Sequence, residues 1–162
     1  MISKQKIKLT VFGLLFVGFA TAQNKPSVYK IDDLLKRIHN SSDTIYVINF
    51  WATWCKPCVQ ELPDFEKLGL ETKNTKVKVL LVSMDFKENL SDKVLPFLQK
   101  NNYKTECVLL DEIDGNSFIN KVNPKWSGAI PATYVTKQIK KQEEFVEKKL
   151  HYEEIKEILG KF

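Results

Sequence analysis

Residues 44–58 read Thr44-Ile45-Tyr46-Val47-Ile48-Asn49-Phe50-Trp51-Ala52-Thr53-Trp54-Cys55-Lys56-Pro57-Cys58. The nearly continuous apolar run over 44–51 predicts a central strand buried on both faces. A helical pattern follows over 56–72, so the two cysteines fall where a strand hands over to a helix. Cysteines three apart in a first helical turn lie one above the other, within reach of a disulfide. A helix N-terminus favours negative charge, so the first sulfur can be a thiolate near neutral pH. A strand running into W-C-x-P-C and then a helix points to thiol–disulfide exchange.

Outward from this stretch the pattern alternates. Ile31, Leu34, Leu35 and Ile38 recur at helical spacing and predict a short amphipathic helix over 31–39. Residues 77–84 read as a second central strand, 92–101 as a helix with Val94, Leu95 and Leu98 inward, and 107–110 as a short strand. A turn at Asp114-Gly115-Asn116 precedes a short helix to about Val122. Ala132-Thr133-Tyr134-Val135 is a strand after a proline, and residues 144–147 alternate as if to pair with it. Tyr152, Ile155, Ile158 and Leu159 mark a closing helix. The order β-α-β-α-β-α-β-β-α predicts an α/β three-layer sandwich with a mixed sheet.

At 162 residues and 43% apolar composition the chain holds one domain with a sizeable core. Residues 1–22 stand apart: Lys4, Lys6 and Lys8 precede an apolar stretch, Leu9 to Ala20, that closes on Ala20-Thr21-Ala22. This is the pattern of a secretory signal peptide, or of an uncleaved N-terminal tether, leaving a domain over 23–162. The formal charge of +5 falls to about +2 once those lysines are set aside. Lysines elsewhere are interleaved with glutamates, as in Glu147-Lys148-Lys149, so the pI indicates no nucleic-acid partner. Three cysteines are too few for a disulfide framework, and Cys107, in an apolar strand, reads as an inert buried thiol.

The stretch from Asn49 to Pro63 resembles the TlpA/ResA-like branch of thioredoxins, and Trp126-Ser127-Gly128-Ala129-Ile130-Pro131-Ala132-Thr133 resembles that branch's cis-proline segment. The resemblance covers most of residues 28–160 and implies a thioredoxin-like fold and an exported thiol:disulfide oxidoreductase. Such enzymes act on cysteines outside the cytoplasm, apocytochrome c among them. Carried over by position, it makes Cys55 the nucleophile, Cys58 the resolving thiol, Pro131 the cis-proline and Glu61 an acid near the site. A cis bond at Pro131 would turn the Ile130 backbone toward the sulfurs, where an extended substrate could pair with it. Trp54, Lys56, Pro57 and Ile130 are then the substrate contacts, and Trp126 is a candidate for the rim. The implied partners are cysteine-bearing proteins and a membrane electron donor; the chain is expected to act as a monomer without cofactor or metal.

Two departures from the pattern matter. Thioredoxin proper has a buried Asp six residues before its first Cys, where this chain has Asn49, so Glu61 or water must take the proton. The usual glycine-containing hairpin turn is replaced by residues 136–142. Other readings of the site remain beside this one. Glu61 could be an ordinary solvated helix residue, and the cysteines a static disulfide. Zinc needs four ligands, and beyond the pair only Cys107, His39 and His151 remain. Copper chaperones of this fold add a His near the later strand, and no His lies between residues 40 and 150. A peroxiredoxin needs Thr or Ser three before its Cys, where Ala52 stands. An oxidant or isomerase, or a module that binds cysteine-bearing peptides without turnover, would use the same residues.

Overall fold

The computed structural model describes residues 25–40 and 43–162; the signal-peptide reading of residues 1–22 falls outside them. In chain order the elements are β1 (Ser27–Tyr29), α1 (Ile31–His39), β2 (Ile45–Trp51), α2 (Lys56–Glu71), β3 (Val77–Ser83), a 3-10 turn (Lys87–Asn89) running through a π turn (Leu90–Val94) into α3 (Leu95–Lys100), β4 (Glu106–Leu110), α4 (Gly115–Val122), β5 (Ala132–Lys137), a 3-10 turn (Gln138–Lys140), β6 (Gln142–Val146) and α5 (Tyr152–Leu159).

The six strands form one sheet in the order β1-β4-β3-β2-β5-β6. The β1–β4, β4–β3 and β3–β2 pairs are parallel, and β2–β5 and β5–β6 are antiparallel. This is the mixed α/β sandwich of a thioredoxin-like fold. β2 is central, and its residues from Tyr46 to Trp51 are buried. Val47 and Trp51 point into one core, with Leu62, Phe65 and Ile155 of α2 and α5. Tyr46, Ile48 and Phe50 point into the other, with Leu34, Ile38 and Phe118 of α1 and α4. Strand alternation therefore puts Asn49 on the α2 side, a buried polar residue in a largely apolar layer.

Two local features differ from the sequence expectation. β1 is an unforeseen edge strand; three residues are too few to show alternation. The helix expected over 92–101 begins earlier, through the 3-10 and π turns. Pro96 has no N–H to give the carbonyl of Asp92, and the wider π turn places the Leu95 N–H on Leu90 instead. The β5–β6 hairpin closes without glycine, because Lys141 itself adopts a left-handed conformation at φ 49°.

Candidate functional site

β2 ends in a turn that is pinned from the next strand. The Thr53 N–H donates to Asp85 Oδ2 at 2.9 Å and its hydroxyl to Oδ1 at 2.6 Å. The Ser83 hydroxyl donates to Asp85 Oδ2 at 2.9 Å, and the Met84 N–H to the Trp51 carbonyl at 2.7 Å. Asp85 is buried, so these donors satisfy a carboxylate held out of water. The sequence showed none of this, since an Asp after a strand carries no periodic signal.

The turn delivers Cys55 to the N-cap of α2. Its sulfur accepts from the Cys58 N–H at 3.3 Å, and Pro57 occupies a first-turn position where a missing N–H is tolerated. Cys55 and Cys58 are joined as a disulfide with Cα atoms 5.3 Å apart. They differ in access: Cys55 is 5% exposed and Cys58 fully buried. No acid lies in the first turn of α2, and Lys56 points outward there. The local field at Cys55, once reduced, therefore favours a thiolate.

Across the site, Ile130–Pro131 is a cis peptide, and the Ile130 carbonyl oxygen lies 3.7 Å from Cys55 Sγ. The loop before it is held from both sides. The Trp126 indole N–H donates to the Ala129 carbonyl at 2.8 Å, and the Ser127 N–H and hydroxyl both donate to the Glu147 carboxylate. Gly128 sits at φ 94°, and a Cβ there would also lie 2.7 Å from Ile119 Cδ1. Trp126 is thus not a rim residue. It is buried against Phe50, Phe118 and Phe145 and supports the loop from beneath. Of the three tryptophans, Trp54 is the exposed one, at 66%, while Trp51 lies in the core. Lys56 and Pro57 are exposed and Ile130 half-buried, so all of these face the surface around Cys55.

Glu61 lies one turn beyond Cys58 on the same face of α2 and is wholly buried rather than solvated. Asn49 Nδ2 donates to its Oε1 at 2.7 Å, and the Leu150 N–H donates to its Oε2 at 2.7 Å. Burial pushes the Glu61 carboxyl up to about 7, against the opposing pull of those two hydrogen bonds and of Lys149. Asn49 Nδ2 is also 3.4 Å from the Thr133 hydroxyl, and Asn49 Oδ1 has no hydrogen-bond partner. Cys107 is a free thiol in β4, and burial pushes it up to about 12. Among the described residues no group of three His, Cys, Asp or Glu side chains is placed to hold a metal ion. No described helix is long and apolar enough to cross a membrane.

The model of the AhpC/TSA family matches residues 29–142. The thioredoxin-like protein YneN of Bacillus subtilis is 30% identical over 121 residues, covering 74% of this chain and 66% of that protein. The thiol-disulfide oxidoreductase ResA of Oceanobacillus iheyensis is 28% identical over 103 residues, covering 54% of each. The chain thus spans just under two thirds of the first relative and about half of the second. Among solved structures, a thioredoxin-related protein from Neisseria meningitidis serogroup B superposes with a TM-score of 0.63 at 19% identity, over 73% of this chain and 84% of that one.

Proposed function

The chain belongs to the AhpC/TSA family, in its TlpA/ResA-like, thioredoxin-fold branch, and from that premise we propose that it is an exported thiol–disulfide oxidoreductase that reduces disulfides in extracytoplasmic proteins. Apocytochrome c is one candidate substrate. The Cys55 thiolate attacks a substrate cystine, forms a mixed disulfide and expels one substrate thiol. Cys58 then gives its proton to Glu61, attacks Cys55 Sγ and expels the second substrate thiol. Two electrons pass to the substrate, and the Cys55–Cys58 disulfide is left for a membrane donor to reduce. Trp54, Lys56, Pro57 and Ile130 form the contact surface, and the Ile130 backbone pairs with an extended substrate segment beside Pro131. The chain acts as a monomer on cysteine-bearing proteins, and residues 1–22 direct it out of the cytoplasm or tether it there.

The observation that carries this reading is the difference between the two sulfurs. Cys55 stands at the helix N-cap beside the Ile130 carbonyl, while Cys58 is buried above a carboxyl that titrates near neutrality. The test is a Cys58→Ser variant incubated with exported proteins. It is expected to accumulate mixed disulfides through Cys55, while the wild type catalyses insulin reduction by dithiothreitol. A variant that captures nothing, with a wild type that does not turn over, would instead mark a binding module. The helix N-terminus and Lys56 favour the reduced form and so favour the oxidant reading, and the potential decides the direction. A value near about −270 mV fits a reductant and one near about −120 mV an oxidant.

A further inference from the structure

A buried carboxyl that gains and loses a proton needs partners suited to both states. Glu61 has one partner that cannot change: the Leu150 N–H only donates, so Oε2 stays an acceptor throughout. The carbonyl oxygen of a neutral carboxyl accepts better than its hydroxyl, so with Oε2 kept as acceptor the proton is placed on Oε1, the oxygen that faces Asn49. With the carboxylate ionised, Asn49 Nδ2 donates to Oε1 at 2.7 Å. Once Oε1 carries a proton, that donor faces a donor. Asn49 Oδ1 is the acceptor then required; it is buried and unpartnered, in a residue that is 0% exposed. A half-turn of the amide exchanges the two atoms. The Thr133 hydroxyl, 3.4 Å from Nδ2 and fully buried, can accept from the amide N–H or donate to its carbonyl, so it suits either orientation.

We propose, on the premise that Glu61 takes the Cys58 proton, that Asn49 is a positioning residue whose amide turns over with the protonation of Glu61. Nδ2 holds the ionised carboxylate, Oδ1 receives the O–H of the neutral acid, and the Thr133 hydroxyl pairs with whichever amide atom is turned toward Glu61. No atom is gained or lost; the proton moves from Cys58 Sγ to Glu61 Oε1 and later to solvent. Aspartate at position 49 could not serve, because two carboxylates at this distance cannot both ionise. The other charges that face Glu61 are Lys149, which favours its ionised form, and Asp64, which disfavours it. His151 lies 3.6 Å from Asp64 and offsets its charge when protonated.

Side-chain NMR of the oxidised full chain tests this, following the Glu61 carboxyl carbon and the Asn49 amide against pH. The Asn49 amide is expected to titrate with the midpoint of Glu61, and a flat Asn49 signal through that midpoint would overturn the proposal. Glu61→Gln mimics the neutral acid and should hold the Asn49 signal at its low-pH position at every pH. Asn49→Leu removes the charge-assisted bond and should raise the Glu61 midpoint by about one pH unit. In the reduced protein it should shift the alkylation profile of Cys58 by the same amount and leave that of Cys55 in place. If Glu61→Gln does not change the Cys58 profile, the role given to Glu61 fails. If it does, and Asn49→Leu leaves the Glu61 midpoint where it was, only the role of Asn49 fails. Should Asn49→Leu not fold, the wild-type amide titration decides alone.

Discussion

Burial acts on Glu61 against two hydrogen bonds, and burial wins: the carboxyl rises from 4.5 to about 7. The folded chain therefore binds this proton more tightly than the unfolded chain does. Between those two values the folded protein holds a proton that the unfolded protein has released, so stability falls as pH rises. The loss is complete above about pH 7 and on the order of 3 kcal/mol. Glu147 and Glu154, both held low, contribute in the opposite sense, losing stability as pH falls through their folded values. The informative quantity is therefore the difference between wild type and Glu61→Gln in urea unfolding from pH 4 to 8. That difference is expected to grow in favour of the Gln variant as pH rises, and a pH-independent difference would show that Glu61 is not perturbed. The sequence made Cys55 and Cys58 legible because their spacing is itself the chemistry. It left Glu61 ambiguous, since whether a helix Glu is solvated depends on what packs over it. Here that is the segment around Leu150, far along the chain.

Among the elements, β2 to β6 and the longer helices were legible from their apolar pattern, down to α1 over Ile31–His39, while β1 was too short to show one. The misses are places where one residue changes the local rule, such as Pro96 at the π turn. The β5–β6 hairpin forms although its turn lacks glycine, with Lys141 exposed at φ 49°. A left-handed conformation costs an L-residue about 1–2 kcal/mol, and glycine recovers most of this against its own entropy loss. Lys141→Gly is therefore expected to stabilise the protein by about 0.5–1 kcal/mol, read as a raised thermal midpoint. A lowered midpoint would mean that the Lys141 side chain contributes more than its backbone costs. The turn that carries the disulfide depends on β3 rather than on its own sequence. Asp85→Ala would leave the Thr53 N–H and the buried Ser83 hydroxyl without their acceptor, for a loss of about 2–3 kcal/mol. Asp85→Asn keeps an acceptor and should lose about half as much. Alkylation of Cys55 in the reduced variants would report whether the turn has moved with the loss of stability.

At the scale of the whole molecule, the site is assembled by topology. The parallel strands bring the ends of β2 and β3 to one rim, where Thr53 meets Asp85. Antiparallel β5 starts at that same rim, which sets Ile130 and Pro131 beside Cys55. The sequence order of W-C-x-P-C and I-P-A-T made the architecture legible, but not the supports beneath it. Trp126, Glu147 and Leu150 act through contacts between segments distant in the chain or through burial that local pattern does not encode. The direction of electron flow is also a property of the whole fold. Oxidised and reduced forms, folded and unfolded, close a thermodynamic cycle, so a fold that favours the disulfide makes the dithiol a stronger reductant. A reductase must therefore unfold at higher denaturant when oxidised than when reduced. The two features that oppose this are the α2 N-terminus and Lys56, both of which stabilise a Cys55 thiolate. The opposing influence is the buried Glu61, whose ionised form, about half populated at pH 7, disfavours a second negative charge in the same layer. The reductase reading expects the buried acid to prevail, with the oxidised chain the more stable at pH 7. Each 1.4 kcal/mol of that difference lowers the potential by about 30 mV relative to the unfolded dithiol. Urea unfolding of both forms at pH 7 measures it, and a reduced form more stable than the oxidised one would turn the assignment from reductant to oxidant.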